Sequence, residues 1–381
     1  AMAATIFSIM VVLLLLGFPM MIPLIVGAFV GFYSLFGGFG QLETMVQQMM
    51  AGVRPASLIA VPMFIFAADI MTRGQSAGRL IDMVMSFVGH MKGGLAVATA
   101  AACTMFGAVS GSTQATVVAV GSPLRPRMLK AGYKDSFVLA LIVNSSDIAF
   151  LIPPSIVMVV YAASVDVSVG RMFLAGIIPG LLAGIMLMVT IYVIARIKNM
   201  PKGNWAGWGE VGASFREAFW GLFLIVIILG GILAGVFTPT EAAAVTVLYA
   251  IAIDLLFYRE LTLRRLWDAI YDSTLTSASI ATIVAGVGLL GFVLAREQAP
   301  QQIASMFLNL ADGPISFLIA VNLMIFLLGC FIESLVILLI VVPILVPIAM
   351  GFGIDPVHFG IIVILNLMIS ILTPPMGMAL F

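Results

Sequence analysis

The sequence predicts an all-α membrane protein that crosses the bilayer several times and is built from two inverted repeats. Of its 381 residues, 62% are hydrophobic and 9% are charged, whereas a soluble domain carries about 25% charged residues. Two short signatures of polar residues and prolines recur at one spacing inside apolar stretches. The net charge is zero, no basic run suggests a nucleic-acid partner, and no P-loop sequence occurs, so direct use of ATP is not expected.

Eight segments are predicted to cross the membrane, because each contains about 20 mainly apolar residues. They are 5–34, 53–72, 135–162, 170–197, 217–237, 239–258, 273–295 and 356–381. The first lacks the charged start and the cleavage site of a signal peptide, so a retained helix is expected over 4–34. Two amphipathic stretches, 76–90 and 297–311, are expected to lie along the membrane interface.

Two further apolar runs, 93–131 and 313–351, are too long for one span and are interrupted near the middle. We interpret both as re-entrant helical hairpins, which enter and leave the bilayer on the same face. Each hairpin precedes a span that consecutive prolines interrupt. A discontinuous helix is therefore expected at 135–162 and again at 356–381.

The hairpins and the broken helices recur at an offset of 221 residues. The first copy has Ser110-Gly111-Ser112-Thr113 and Ile152-Pro153-Pro154-Ser155, and the second has Phe331-Ile332-Glu333-Ser334 and Thr373-Pro374-Pro375-Met376. The matches predict a first repeat over 1–197, a linker over 198–216 and a second repeat over 217–381. Polar clusters and prolines are costly in lipid unless they line a site, so the two copies favour a transporter with its binding site between the repeats.

The positive charges indicate that the repeats are inverted. If Lys92 and the basic residues of 125–134 flank the first hairpin in the cytoplasm, counting crossings places 196–216 and 259–265 there as well. Twelve of the 17 Lys and Arg residues are then cytoplasmic, as the positive-inside rule prefers. The same count places the base of the second hairpin outside, and no Lys or Arg follows Arg296. One hairpin is therefore expected to open inward and the other outward.

The tip of the first hairpin carries the residue types of a cation site. A broken helix exposes unpaired carbonyls at one stub and unpaired amides at the other. Carbonyls with the hydroxyls of Ser110, Ser112 and Thr113 make a neutral oxygen cage that suits sodium, and the amides suit a carboxylate. Pro153 and Pro154 free further carbonyls upstream. The alternatives are close helix packing through small residues and a purely structural kink.

Acidic residues inside the apolar segments are further candidates, because an ionisable group at membrane depth is costly. Asp147 follows Asn144, Ser145 and Ser146. It is expected to contact substrate hydroxyls or an ammonium group, to carry a proton, or to be held by neighbouring polar groups. Glu333, at the second tip, is a candidate for the same reason.

Other conspicuous residues have structural explanations. The run Thr238-Pro239-Thr240-Glu241 fits a helix N-cap with a capping box. The residues His90, His358, Cys103 and Cys330 are isolated, so neither a metal site nor a disulfide framework is predicted. No hydrolase motif occurs, so the sequence does not predict an enzyme.

Eight segments, taken in order, resemble one known family. They are Val61 to Ala67, Gly89 to Leu95, Phe106 to Thr116, Ile152 to Ser155, Phe173 to Gly180, Gly230 to Glu241, Gly353 to Gly360 and Leu372 to Gly377. The chain thereby resembles, nearly from end to end, the large membrane subunit of tripartite ATP-independent periplasmic (TRAP) transporters.

The resemblance implies sodium-coupled uptake of an organic acid, such as a C4-dicarboxylate or sialic acid, across the bacterial inner membrane. The hairpins and broken helices would move as an elevator against a scaffold. A small membrane subunit of four helices and a periplasmic substrate-binding protein are the implied partners, beside the lipid bilayer. At least one further helix is expected after the second diproline.

The resemblance also assigns residues to sites. The first sodium site is expected near Ser110, Ser112, Ala149, Ile152 and Pro154, and the second near Gly329, Glu333, Thr373, Pro375 and Met376. The substrate is expected between the tips, at Gly111, Thr113, Asn144, Ser145, Asp147, Ser155 and Ser334. The polar run 144–147 departs from the small apolar run that is typical of the family, so the substrate stays open.

Three other functions are alternatives. A stand-alone cation-coupled carboxylate transporter or antiporter of related fold would need no binding protein. A channel is less favoured, because two asymmetric hairpins suit alternating access. An intramembrane enzyme is least favoured, since no pair of residues is placed for acid–base or nucleophilic chemistry.

Overall fold

The computed structural model describes residues 2–38 and 40–373. In this part of the chain all regular elements are helical and no β-strand occurs. Six of the described helices are long and apolar enough to cross a membrane: Ala56–Arg73, Val169–Ile197, Trp208–Leu233, Pro239–Phe257, Leu263–Arg296 and Ser334–Gly351. The predicted all-α, polytopic membrane fold is confirmed.

The α-helices are numbered in chain order. They are α1 (Met2–Leu15), α2 (Met21–Phe36), α3 (Leu42–Val53), α4 (Ala60–Arg73), α5 (Ser76–Val88), α6 (Gly94–Ser110), α7 (Thr113–Thr116), α8 (Ser122–Lys130), α9 (Asp135–Ser146), α10 (Ile156–Val165), α11 (Val169–Ile197), α12 (Trp208–Leu233), α13 (Pro239–Ala252), α14 (Leu263–Arg296), α15 (Ala299–Leu310), α16 (Pro314–Gly329), α17 (Ser334–Val336), α18 (Val342–Gly351) and α19 (Pro356–Ser370).

The chain forms two compact units, each made of discontinuous segments. The first unit comprises the described residues within 2–59, 160–167 and 275–373. Inside it, α1 packs against α2, and α19 packs against both α16 and α18. Gly52 of α3 lies on α14, where a Cβ added to Gly52 would be 3.1 Å from Gly288 Cα.

The second unit comprises residues 60–159 and 168–274. Helix α6 lies at its centre, where it packs against α4, α5, α9, α11 and α12. Most of its side chains are small, and 14 of its 17 residues are buried. Small residues let neighbouring helices approach closely in membrane proteins, so the composition of α6 explains its central position.

The first predicted span is corrected by the structure. A single helix over 4–34 was expected, but α1 ends at Leu15 and α2 begins at Met21. Gly17 adopts a left-handed conformation with φ of +85°, and Pro19 has no amide hydrogen to continue a helix. These two residues divide the apolar run into two short helices.

The helix boundaries elsewhere follow the predicted spans with local differences. Helix α12 begins at Trp208, inside the predicted linker over 198–216, and α14 begins ten residues before the predicted span. The amphipathic stretches 76–90 and 297–311 form α5 and α15. The predicted division into two repeats joined by this linker stays a prediction.

The two predicted hairpins share an order of local structures. In the first, α7 continues through a π-helical turn, Val117–Gly121, into α8; in the second, α17 continues through Ile337–Val341 into α18. Pro123 and Pro343 lie at the start of α8 and α18. Neither proline can donate to the carbonyl one turn earlier, which explains why the helix widens at that point in both hairpins.

Several basic segments that were predicted to share one membrane face lie together in the second unit. Gly93 N donates to Pro201 O at 2.9 Å, and Gly203 N donates to Gly89 O at 2.9 Å. A cavity of about 930 Å³ in the same unit is lined in part by Arg79, Arg127 and Arg216. These contacts bring the segments around Lys92 and Lys202 together, and the assignment of this side to the cytoplasm stays a prediction.

Candidate functional site

The tip of the first hairpin is a sharp break between α6 and α7. Helix α6 ends at Ser110, and Gly111 follows with φ of +63°, a conformation that L side chains rarely adopt. Ser112 is the N-cap of α7: its Oγ accepts from Ala115 N at 3.4 Å and donates to Gln114 Oε1 at 3.2 Å. The Ser112 hydroxyl, a predicted sodium ligand, therefore serves the helix start.

Three oxygen atoms meet just inside this tip. Ser110 Oγ lies 3.0 Å from Thr116 Oγ1 and 3.2 Å from Ser112 O, and Thr116 Oγ1 donates to Ser112 O at 2.8 Å. Ser110 and Thr116 are fully buried. We call these atoms the oxygen cluster. Thr116 was not among the predicted ligands, although its spacing of four from Ser112 places its hydroxyl over the Ser112 carbonyl.

The diproline turn leaves two carbonyl groups without their usual helical donors. Pro153 and Pro154 have no amide hydrogens, so Ala149 O and Phe150 O lack the donors that an α-helix would place four residues later. Ser155 Oγ donates to Phe150 O at 2.8 Å and replaces one missing donor. Predicted as a substrate ligand, Ser155 thus has a local structural contact, while Ala149 O remains the candidate ligand of the turn.

The hairpin tip and the diproline turn are in direct contact. Ile156 N donates to Gly111 O at 3.3 Å, and a Cβ on Gly111 would overlap Pro154 O. One turn earlier in α6, a Cβ on Gly107 would be 2.9 Å from Ala149 Cβ. The structure therefore brings Ser110, Ala149 and Pro154, three of the residues predicted for the first sodium site, together with Gly111, which was predicted for the substrate.

The fifth predicted ligand residue of the first sodium site, Ile152, packs its side chain into the core. It forms an apolar cluster with Ala108 and Ile148, and it lies against Gly180 of α11. Only its backbone carbonyl is chemically suited to a cation.

Asp147 opens the 3-10 turn that follows α9, and it is fully buried. The polar side chain that interacts with its carboxyl group is Thr113, the first residue of α7. Within the described residues, neither Asp147 oxygen nor Thr113 Oγ1 makes a hydrogen bond of ordinary geometry. Asp147 and Thr113, both predicted for the substrate, thus interact without forming an ordinary hydrogen bond.

The other members of the polar run 144–147 have separate environments. Asn144 is exposed, and its side-chain amide donates to Ala140 O at 2.7 Å within its own helix. Ser145 is buried with no hydrogen-bond partner for its hydroxyl in the described structure. The Ser146 hydroxyl lies 3.6 Å from the thiol of Cys103. The run therefore does not form one cluster.

The second tip has a different set of groups. Helix α16 ends at Gly329, Glu333 occupies the N-cap position of α17 without a side-chain cap bond, and Ser334 is buried. Thr373 Oγ1 donates to Ile369 O at 3.0 Å. Pro375 and Met376, predicted for the second sodium site, lie outside the described residues.

A close contact holds α16 against α19 in the first unit. A Cβ on Gly329 would overlap Ser370 Oγ. Asn366 Nδ2 of α19 donates to Asn322 O at 2.7 Å and to Asn322 Oδ1 at 2.8 Å. The sequence reasoning missed this asparagine pair, although two amides at matching depth in apolar helices are a signal for an interhelical bond.

The predicted capping box is present at the start of α13. Thr238 and Glu241 form the predicted capping box, with Thr238 N to Glu241 Oε2 at 2.8 Å and Glu241 N to Thr238 Oγ1 at 3.3 Å. The His90 ring packs edge-on against Trp205. Both cysteines are free and buried. Among the described residues, no three His, Cys, Asp or Glu side chains are grouped to hold a metal ion.

The apolar helices and their buried breaks define a multi-pass membrane transporter. Residues 7–381 match the family described as "Tripartite ATP-independent periplasmic transporter, DctM component". The chain belongs to this family, the large permease subunits of TRAP transporters, and is a multi-pass protein of the bacterial inner membrane.

Curated relatives extend over nearly the whole chain. It is 55% identical to the ectoine/5-hydroxyectoine TRAP transporter large permease protein UehC of Ruegeria pomeroyi, over 100% of this chain and 89% of that protein. It is 52% identical to the ectoine TRAP transporter large permease protein TeaC of Halomonas elongata, over 98% and 87%. It is 41% identical to the C4-dicarboxylate TRAP transporter large permease protein DctM of Vibrio cholerae, over 99% and 88%.

A solved structure shares the fold. The YdaH transporter of Alcanivorax borkumensis, described as having an unusual topology, aligns with a TM-score of 0.57 at 13% identity, over 90% of this chain and 80% of that one. At this identity the likeness concerns the fold alone.

Proposed function

We propose that this chain carries out sodium-coupled import of an organic acid, as the part of a TRAP transporter that moves within the membrane. The observation that carries the proposal is the contact between the tip of the first hairpin, which contains the oxygen cluster, and the diproline turn. Neutral oxygens on two interrupted helices, held together in an apolar unit, are the groups that a sodium ion needs in place of water.

The donor set fits sodium. Ser110 Oγ, Thr116 Oγ1 and Ser112 O lie within 3.2 Å of one another, and Ala149 O lacks its helical donor because residue 153 is proline. All four are oxygens, the donor atoms that hard cations prefer, and none of them carries a formal charge. A bound sodium would stabilise the hairpin tip against the turn, and this is the physical basis for coupling.

For the substrate we propose an ectoine-type acid, which carries one carboxylate and one cationic amidinium. The relatives named for ectoine are 55% and 52% identical to this chain. Those named for C4-dicarboxylates or sialic acid are at most 46% identical among the relatives compared. C4-dicarboxylates and sialic acid are the competing substrates.

The proposal includes two partners and one movement. A periplasmic protein delivers the substrate, and a small membrane subunit of four helices enlarges the scaffold. The hairpins and broken helices slide as an elevator. A stand-alone transporter without a binding protein is the second candidate, and the experiment below separates it from the first.

The test is uptake into liposomes that contain this chain and its small subunit. Radiolabelled ectoine, succinate and sialic acid are supplied with or without the cognate binding protein, under an inward sodium or potassium gradient. We expect ectoine uptake only with sodium and the binding protein. Equal uptake under potassium would refute sodium coupling, uptake without the binding protein would support the stand-alone transporter, and sustained single-channel currents would indicate a channel.

A further inference from the structure

The buried carboxyl group of Asp147 has no charged partner in the second unit. The residue is 0% exposed, and none of the ion pairs among the described residues includes it. Truly buried carboxylates are nearly always paired, because an isolated charge in a medium of low polarity is very costly. Asp147 therefore lacks the charged partner that would offset the cost of burying its carboxyl group.

The packing around Asp147 does not compensate for this. Thr113 is the one polar side chain found to interact with the carboxyl group in the described structure, and its own hydroxyl has no ordinary hydrogen bond. The turn that begins with Asp147 packs against α6 and α7, the two helices of the hairpin tip. A ligand that reaches the tip would thus meet two unsatisfied polar side chains.

The oxygen cluster already accounts for the neutral ligands of a sodium site, and Asp147 takes no part in its hydrogen bonds. An acidic side chain next to an uncharged cage suits a separate cation. Relatives named for ectoine share over half of their aligned residues with this chain, and ectoine is a carboxylic acid with a cationic amidinium. A purely anionic substrate would instead be repelled by Asp147.

We propose that Asp147, together with Thr113, binds the cationic group of a zwitterionic substrate and so selects carboxylic acids that carry an amidinium or ammonium group. The carboxylate accepts N–H donors from that cation, and the Thr113 hydroxyl completes the contact. The inference rests on the proposed function as an organic-acid transporter, and it assigns the substrate class and the residue that selects it.

The test uses the purified complex of this chain with its small subunit, with ligand binding followed by thermal stabilisation. Ectoine and succinate are titrated at saturating sodium, and sodium is titrated without substrate. The variants are Asp147→Asn, Asp147→Glu and, as a matched control, Asp312→Asn, since Asp312 is exposed. Asp147→Ser replaces Asp147→Asn if the latter does not assemble with the small subunit.

We expect Asp147→Asn to weaken ectoine binding about tenfold or more, because one member of a buried charge pair is lost. Asp147→Glu should retain part of the affinity, and Asp312→Asn should behave as the wild type. Sodium binding should be unchanged in all three variants. Wild-type ectoine binding in Asp147→Asn would overturn the inference, and loss of sodium binding would make Asp147 a sodium ligand instead.

The outcomes also separate this inference from the proposed function. A wild-type complex that binds succinate and not ectoine would overturn the role of Asp147 and leave the organic-acid transporter intact. Uptake of ectoine that needs Asp147 but no sodium gradient would uphold the inference and refute the coupling.

Discussion

Gly107 of α6 lies against Ala149 of the diproline turn so closely that a Cβ at Gly107 would be 2.9 Å from Ala149 Cβ. The other unit contains a related contact, in which a Cβ on Gly329 would overlap Ser370 Oγ. Ala149 and Ser370 are separated by the repeat offset of 221 residues. In both units, a glycine before the helix break therefore touches the residue four positions before the first proline of the diproline.

Gly107→Ala is expected to separate α6 from the diproline turn. The added methyl group enters a packed contact, which typically costs about 1–3 kcal/mol, and the shift would move the diproline turn away from the hairpin tip. We expect a lower melting temperature and reduced sodium-dependent uptake. Gly78→Ala is the matched control, because a Cβ on Gly78 meets nothing within 4 Å; an equal effect of both changes would refute the packing argument.

Gly329→Ala should destabilise the α16–α19 contact through overlap with Ser370. Removing that side chain in Gly329→Ala/Ser370→Gly should restore part of the lost stability, since the two residues touch directly. Thermal unfolding of the purified complex measures both variants, with Gly291→Ala as the control at an uncrowded glycine. A double variant no more stable than Gly329→Ala would contradict the contact.

The serines of the first tip should differ in their effect on sodium. Ser110→Ala and Thr116→Val each remove one oxygen of the cluster, so the sodium concentration for half-maximal uptake should rise about tenfold for a loss of roughly 1.4 kcal/mol. Ser112→Ala removes a hydroxyl that caps α7 and leaves Ser112 O in place. It should cost about 0.5–2 kcal/mol of stability with little change in the sodium response.

As a control for this series, all three variants are compared at equal amounts of transporter in the membrane. Suppose that Ser112→Ala altered the sodium response as much as Thr116→Val. The Ser112 hydroxyl of the wild type would then have to leave the N-cap position to reach the cation. That result would favour the ligand assignment made from the sequence over the one made from the structure.

Thr238→Ala should destabilise the start of α13 by about 0.5–2 kcal/mol, because it removes one half of the capping box. Thermal unfolding provides the measurement, and Thr240→Ala, one residue inside the helix, is the control. Substrate and sodium binding should be unchanged at temperatures well below unfolding. A selective loss of transport without loss of stability would show that Thr238 has a functional role.

Features that depend on a few neighbouring residues were predictable from the sequence. The capping box, the break at Gly111 and the donors missing at Pro153 and Pro154 follow from single residues and their neighbours. The all-α membrane fold follows from composition and from the length of the apolar runs. Gly17 and Pro19 also indicate that 4–34 divides into two helices. One helix was nevertheless predicted there, because the apolar run is continuous.

The assignment of side chains within the site was less predictable. A hydroxyl at a helix break can cap the next helix, as Ser112 does, or turn inward, as Ser110 does, and spacing alone does not distinguish them. The spacing of four residues places the Thr116 hydroxyl on the Ser112 carbonyl, but its approach to Ser110 depends on how α7 is oriented after the break at Gly111. Asn144 is exposed and Asp147 is buried, although residues three apart lie on the same side of a helix, so their spacing does not predict the difference.

The most direct test of the account is a titration of the purified two-subunit complex with sodium, using potassium as the ionic-strength control. We expect the wild type to be stabilised against thermal unfolding by sodium and not by potassium, and Ser110→Ala and Thr116→Val to need about tenfold more sodium for the same stabilisation. Unaltered sodium stabilisation in both variants would contradict the assignment of the oxygen cluster as a sodium site.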